Sequence, residues 1–217
     1  KIDGSSIGAV SGYTFASVTK ARKIEASFEI NQYDIIASSD SNGKISPSGT
    51  VKVNHGASQT FAVTPNEGYH IADVKVDGVS VGAVSTYTIS NVIKSYTISA
   101  TFSINTYKIT TIVDGNGTVS PSGEVSAEYL ASKTFTFTPN AGYHVKDVLL
   151  DGVSLGAMTT YTVVGVKSDR TLKVVFEIDT YILRSSAGNR GTITPFGETR
   201  VAYGANVTYT IIPETGY

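Results

Sequence analysis

The sequence contains no cysteine and no tryptophan among its 217 residues, and only one methionine. The absence of cysteine excludes disulfide bonds and thiolate metal sites, so any small module of this chain must be held together by its core alone. Charged residues are also few, at 16%, and the formal net charge is −1. Because neutralising phosphates requires clustered Lys and Arg, nucleic acid is not an expected partner.

Long apolar runs and helical periodicity are missing as well. No apolar stretch approaches the roughly 18 residues of a transmembrane helix, so no membrane insertion of this segment is expected. Apolar side chains do not recur at the spacing of an amphipathic helix, and β-branched and aromatic residues dominate instead. The sequence therefore predicts an all-β fold without a cofactor.

What the sequence does have is a long internal repeat. Residues 64–78 return 74 residues later as residues 138–152, and a third copy begins at residue 212. A fixed period of this kind outweighs length as a guide to domain organisation. It predicts a tandem array of ~74-residue modules, in which the two complete repeats align without a gap at 36 identical positions. The predicted parts are the C-terminal part of a repeat (1–30), two complete repeats (31–104 and 105–178) and the N-terminal part of another (179–217).

Between the turns, the apolar pattern has period two. Ile98, Ala100, Phe102 and Ile104 alternate with polar residues, which places four apolar side chains on one face of a strand. The same pattern recurs in the other copies, at Leu172, Val174, Phe176 and Ile178 and at Ile24, Ala26, Phe28 and Ile30. Further strands are predicted around Phe61 and Tyr87 and around their counterparts, Phe135 and Tyr209, Tyr161 and Tyr13. Each module is thus predicted to have about six to eight short antiparallel strands, as a small sandwich or a β-grasp-like fold.

Two features predict how the modules turn and join. Asn42-Gly43 is flanked by β-type runs and predicts a type I′ hairpin. The apolar alternation breaks at Asn105-Thr106, which predicts a module boundary there. The joint contains neither Gly nor Pro, so restricted bending and an extended rod are expected. Where the first complete repeat has Gly56, the second has Leu130, and a different local turn is expected there.

The order of these motifs resembles a known family. The first complete repeat runs through Tyr-x-Ile, Asn-Gly, Pro-Ser-Gly, Gly-Tyr before a strand, Asp-Gly and a closing Ala-x-Phe. This arrangement is similar to the divergent internalin B-type repeats found in tandem in large bacterial cell-surface proteins. The resemblance implies an extracellular spacer, adhesive or other structural module with no catalytic residues. This sequence lacks the Trp that often follows the Gly-Tyr strand, so Val74 or Val76, and Val148 or Leu150, are expected to fill the core there.

One motif could indicate an enzyme. Gly78-Val79-Ser80-Val81-Gly82 matches the nucleophile elbow of hydrolases, which would make Ser80 a nucleophile. The elbow requires a strand, a strained turn and then a helix, whereas three copies of this motif are each followed by a β-type run. A glycine-rich hairpin is therefore favoured, and no enzymatic activity is expected.

Two groups of residues could hold a metal ion. His70 and Asp73 are three residues apart in a predicted strand, so they face opposite sides and are not expected to share an ion. The same applies to His144 and Asp147. Residues 40–43 contain oxygen ligands for Ca²⁺ but lack the spacing and the terminal Glu of a calcium loop, so a turn is favoured.

The 13 tyrosines suggest a binding surface. Most of them recur at the same position of each repeat, as residues required by every module's fold would. Tyr96, Tyr129 and Tyr203 do not, since Tyr96 is Arg in the other copies and the other two correspond to His55. These three tyrosines are predicted to be exposed, variable ligand contacts.

Two functional hypotheses follow. In the first, the chain is a non-catalytic extracellular spacer of a bacterial surface protein or filament, and its partners are neighbouring repeats or chains. In the second, it is an adhesin or a carbohydrate-binding array that contacts glycan or a host protein. Under both hypotheses, the partial repeats at 1–30 and 179–217 are expected to be completed by another chain or by an adjoining module. The competing expectation is a circularly shifted module that closes near Tyr69, with residues 1–30 paired to 31–69.

Overall fold

The computed structural model describes all 217 residues and consists of strands, turns and loops. The all-β prediction is confirmed, and no helix has the length and hydrophobicity to cross a membrane. The chain divides into two compact units. The first contains Lys1–Asn66 and Ile71–Phe102, and the second contains Glu67–His70 and Ser103–Tyr217.

The first complete repeat contains eight strands. They are β1 (Gln32–Ser39), β2 (Gly43–Ser46), β3 (Gly49–Asn54), β4 (Gln59–Pro65), β5 (Tyr69–Val76), β6 (Val79–Gly82), β7 (Thr86–Ile89) and β8 (Tyr96–Ile104). Five of them form a sheet in the order β3-β1-β8-β5-β6, and the other three form a sheet in the order β2-β4-β7.

The second complete repeat has the same arrangement. Its strands are β9 (Thr106–Asp114), β10 (Gly117–Ser120), β11 (Glu124–Glu128), β12 (Lys133–Pro139), β13 (Tyr143–Leu150), β14 (Val153–Gly156), β15 (Thr160–Val163) and β16 (Arg170–Ile178). The sheets are ordered β11-β9-β16-β13-β14 and β10-β12-β15. One residue, Asn105, separates β8 from β9. The predicted limits of the folding units, 31–104 and 105–178, stay a prediction.

The two sheets of the second repeat share one hydrophobic core. Phe135 and Phe137 of β12 belong to the same buried cluster as Ile109, Val148 and Leu172 of the five-stranded sheet. Each fully buried side chain of this size contributes about 1.5 to 3 kcal/mol relative to exposure. The repeat is therefore a small two-layer sandwich, as the alternating pattern predicts.

The position expected to replace tryptophan is also resolved. Val148 is buried in this core, whereas Leu150 packs against its edge and is partly exposed. Val74 is likewise buried in the first repeat, whereas Val76 is partly exposed. The first valine of each strand therefore fills the core.

One strand pair in each repeat departs from the antiparallel pattern. β9 pairs with β16 in parallel, with Ile109 opposite Arg170, and β1 pairs with β8 in the same way. The other strand pairs of the second repeat are antiparallel. The parallel pair joins the first and last strands of a repeat. Alternation in sequence does not distinguish strand direction, so this pairing could not be predicted from it.

The predicted Asn-Gly hairpin is wrong. β1 and β2 lie in different sheets, and neither Asn42 nor Gly43 has a positive φ. Glycine is required at position 43 because the Phe102 ring occupies the space of a β-carbon there. The type I′ conformation occurs instead at Asp77-Gly78, with φ angles of 48° and 81°, in the turn between β5 and β6.

The turn at Leu130 is the same as the turn at Gly56, so the expected difference is wrong. Both residues are left-handed, with φ angles of 62° and 77°. The Leu130 N–H donates to the Val166 carbonyl at 2.7 Å, and the Gly56 N–H donates to the Val92 carbonyl at 2.8 Å. This shared hydrogen bond holds the conformation although a residue with a β-carbon disfavours it by about 1 to 2 kcal/mol.

The two partial repeats contain less regular structure. Residues 179–217 form β17 (Thr180–Ser185), β18 (Gly191–Thr194), β19 (Gly197–Ala202) and β20 (Thr210–Pro213), paired as β17-β19 and β18-β20. Residues 1–30 contain isolated bridges from Ile2 to Ser5 and to Ile24. They are not paired with residues 31–69, which contradicts the expectation of a circularly shifted module.

Candidate functional site: the joint around Asn105

The second unit contains a joint in which a loop from the first repeat meets the start of β9. The loop residues, Glu67–His70, belong to this unit although they precede β9 by more than a strand. The Asn105 N–H donates to the Gly68 carbonyl, and the Asn105 carbonyl accepts from the Tyr129 N–H, both at 2.8 Å. Asn105 thus links the loop to the end of β11 through its own backbone.

The side chain of Tyr129 closes the joint. Its ring lies over Gly68 so closely that a β-carbon at that position would overlap three ring atoms. Gly68 also has a φ of 81°, which favours glycine independently of the contact. The ring is partly buried, and its hydroxyl donates to the carboxylate of Glu67.

A charged pair surrounds this tyrosine. Lys167 Nζ lies 4.0 Å from Glu67 Oε1 and 5.7 Å from the centroid of the Tyr129 ring. The hydrogen bond to Glu67 raises the pKa of Tyr129, since it favours the protonated phenol, and desolvation acts in the same direction. The Lys167–Glu67 pair is largely exposed to solvent, so the ring contact contributes more to the joint than this ion pair does.

The loop also makes a side-chain contact with Asn105. His70 Nδ1 lies 2.8 Å from Asn105 Oδ1, so the amide oxygen accepts in the tautomer that carries the proton on Nδ1. Asp73, which was considered with His70 as a metal ligand, accepts a hydrogen bond from Ser80 Oγ at 2.5 Å. Each of the two side chains therefore has its own partner.

The joint recurs 74 residues later. The Asp179 N–H donates to the Gly142 carbonyl and the Asp179 carbonyl accepts from the Tyr203 N–H, again at 2.8 Å. The Tyr203 ring occupies the space of a β-carbon on Gly142, whose φ is 75°. His144 Nδ1 lies 2.7 Å from Asp179 Oδ1. The same four contacts are thus built twice from different residues.

The two joints differ in charge. Where the first has Asn105 beside the histidine, the second has Asp179, and where the first has Glu67 the second has Ala141. Tyr203 therefore lacks the carboxylate acceptor that Tyr129 has. The backbone links and the ring contact are the shared part of the joint.

Comparison with known families follows this period. The family model of the divergent InlB B-repeat domain matches residues 33–106 and residues 107–180. The chain belongs to this family. The resemblance inferred from the motif order is thereby confirmed, and the two matched InlB B-repeats start two residues after the predicted module limits. No curated protein matches the chain.

Tyr96, the third predicted ligand contact, lies beside the Asp-Gly hairpin of the first InlB B-repeat. Lys94 Nζ lies 4.7 Å from its ring centroid and 2.8 Å from Asp77 Oδ2. In the second InlB B-repeat, Arg170 stands in place of Tyr96 and pairs with Asp151 directly. Lys94 therefore supplies the ion pair that an arginine makes elsewhere, and Tyr96 packs beneath it.

Sequence reasoning singled out Tyr129 and Tyr203 but not their partners. Gly68 and Gly142 recur in every copy beside a tyrosine and read as ordinary turn residues. The available signal was that the aromatic position varies while the glycine does not. That signal does not indicate which residue 61 positions away, as Tyr129 is from Gly68, lies opposite.

The nucleophile-elbow motif lies in a β-hairpin. Ser80 is in β6, which follows the Asp-Gly turn and pairs with β5, and Ser154 occupies the same position in β14. Ser154 Oγ donates to Asp147 Oδ1 at 2.8 Å, as Ser80 does to Asp73. Each serine is thus bound to a carboxylate across a two-stranded turn.

The candidate calcium segment is a turn held by Asp40. Asp40 Oδ1 accepts from the Asn42 N–H and Oδ2 accepts from the Phe102 N–H, both at 2.9 Å. Both carboxylate oxygens are therefore occupied by backbone donors. The chemistry of this segment is structural in the described arrangement.

Proposed function

We propose that these InlB B-repeats serve as a non-catalytic structural spacer of a bacterial surface protein or surface filament, outside the cell. The observation that carries this proposal is the joint, which is built on Asn105 and again on Asp179 with the same backbone links. A tyrosine ring seated on a glycine closes both joints. Because bending at a joint would break these contacts together, they favour a fixed orientation of successive repeats.

The alternative function, an adhesin that contacts glycan or host protein, requires side chains that are free to meet a ligand. The tyrosines predicted for that role have partners within the chain. Tyr129 and Tyr203 cover glycines, and Tyr96 packs under Lys94. This arrangement supports the spacer function over the adhesive one. Glycan-array binding that is lost in Tyr96→Ala and Tyr129→Ala but retained in Tyr87→Phe would reverse that preference.

Small-angle X-ray scattering tests the spacer function. A compact globular chain of this length has a radius of gyration of about 17 Å by the usual scaling. We expect a value clearly above this for the 217-residue chain, after extrapolation to zero concentration. Tyr129→Ala should lower it or broaden the distance distribution by loosening the joint, and Tyr13→Ala serves as the control outside the joints. A radius at the compact value would contradict the spacer function.

A further inference from the structure

The two partial repeats of the chain are complementary. Residues 179–217 align with 105–143 and contain β17 to β20, the counterparts of β9 to β12. Residues 1–30 align with 149–178, which contain β14, β15 and β16 of the second InlB B-repeat. Each partial repeat therefore carries the strands with which the other would form a complete module.

A phenylalanine and a glycine show this complementarity most directly. In the second repeat, the Phe176 ring covers Gly117 and is only 5% exposed. The counterpart of Phe176 is Phe28, which is 93% exposed. The counterpart of Gly117 is Gly191, where a β-carbon would meet only the backbone of β20. An uncovered ring and an uncovered glycine thus lie in the two partial repeats.

The core positions of residues 179–217 are open in the same way. Leu183 is 38% exposed although its counterpart Ile109 is fully buried. Ile211 is 72% exposed although its counterpart Phe137 is 2% exposed. An open cavity of about 430 Å³ lies beside Leu183, Ile193 and Tyr209. The hydroxyl oxygen of Tyr209 is buried there without a hydrogen-bond partner.

The segment that would fill this cavity is already partly organised. Arg22 Nε donates to Asp3 Oδ2 at 2.6 Å, and the Lys23 N–H donates to Asp3 Oδ1 at 2.8 Å. Asp151 makes the same two contacts with Arg170 and the Thr171 N–H in the complete repeat. The strand that begins at Arg22 is therefore anchored as β16 is, and its apolar face is exposed.

We propose that copies of the 217-residue chain associate head to tail, with residues 9–30 of one copy completing the module of residues 179–217 in another. The strand at residues 22–30 pairs in parallel with β17, and the Phe28 ring covers Gly191. The inference does not depend on the spacer function. Because the contacting surfaces are different, the association is heterologous and continues into a linear assembly.

The complete repeat fixes the register of this pairing. Arg170 opposite Ile109 and Leu172 opposite Thr111 in β16 and β9 become Arg22 opposite Leu183 and Ile24 opposite Ser185. Phe135 opposite Tyr161 in β12 and β15 becomes Tyr209 opposite Tyr13. A pairing shifted by one residue would turn the apolar row of residues 22–30 away from the cavity, so this register is the one the alternation permits.

Sedimentation velocity of the full chain tests the association. We expect the wild-type chain to shift from monomer to larger species as its concentration rises through the micromolar range. Phe28→Asp and Ile211→Asp should each abolish the shift, because each places a charge in one of the two contacting faces. The matched control is Ile212→Asp, next to Ile211 on the outward face of β20, which should assemble as the wild type does. A wild-type chain that stays monomeric overturns the proposal.

Mixing the two variants separates specific association from nonspecific aggregation. The Phe28→Asp chain keeps its open module and the Ile211→Asp chain keeps its exposed strand, so each retains one competent end. An equimolar mixture should form a one-to-one dimer of twice the 22.9 kDa chain mass and nothing larger. A mixture that stays monomeric, or that grows beyond the dimer, contradicts head-to-tail completion.

Discussion

The ring of Tyr129 occupies the space in which Gly68 would carry a β-carbon, so the two residues fit only as a pair. Tyr203 and Gly142 repeat the relationship at the next joint. A position that varies between histidine and tyrosine is therefore paired with one that is glycine in every copy. The joint consequently tolerates a change in the ring but not a side chain beneath it.

Gly68→Ala should destabilise the second unit more than Gly152→Ala. Both glycines have nearly the same φ, 81° and 82°, so both substitutions incur the cost of about 1 to 2 kcal/mol for a left-handed β-carbon. Only Gly68 lies under a ring, since the space around Gly152 is open. Urea unfolding of the two variants should show the larger loss for Gly68→Ala. Equal losses would contradict the ring contact.

Phe102→Ala should lower the free energy of unfolding by about 3 to 5 kcal/mol, because it deletes a buried aromatic side chain. Phe28 occupies the same position in its partial repeat but is exposed, so Phe28→Ala should change stability by less than about 0.5 kcal/mol. Thermal unfolding at low micromolar concentration compares the two. An unchanged transition in Phe102→Ala would show that the strand face is inverted.

Acid should remove a stabilising contribution of Asp77. The hydrogen bond from Lys94 and the Thr97 N–H lower the pKa of Asp77 in the folded chain. The contribution is therefore present above the ordinary pKa of about 3.9 and is lost as the pH falls through the folded-state value. Lys94→Met should raise the pKa of Asp77 in an NMR titration, whereas Lys44→Met should not. No difference between the two variants would contradict the assignment.

A fluorophosphonate probe should not label Ser80. Its hydroxyl donates to the Asp73 carboxylate in a β-hairpin, whereas a serine nucleophile requires an imidazole base and an oxyanion hole. The wild-type chain and Ser80→Ala should give the same background by mass spectrometry, with a serine hydrolase as the positive control. Labelling that disappears in Ser80→Ala would reverse the non-enzymatic expectation.

The buried faces of the strands could be predicted from the sequence. Ile98 and Phe102 were placed on one face by alternation, and both are buried. This works because a strand turns successive side chains to opposite faces, so burial on one side leaves a period of two in the composition. The pattern depends only on neighbouring residues.

The turns and the joint could be predicted only in part. Asn42-Gly43 and Asp77-Gly78 have similar local preferences, yet only the second adopts the type I′ conformation. What distinguishes the first is Phe102, 59 residues further along, whose ring requires the glycine. Tyr129 was likewise recognised as variable, but its partner Gly68 lies in the preceding repeat. Such choices depend on contacts between distant residues, which a single sequence does not show.

The parallel pairing of β9 with β16 has a consequence for how the chain folds during synthesis. Ile109 faces Arg170, so its partner strand leaves the ribosome 61 residues later. At about 5 to 20 residues per second, β9 waits roughly 3 to 12 s with an unpaired edge. An array of such repeats matures one module at a time behind the growing end, and a chaperone that shields a single strand would suffice for each.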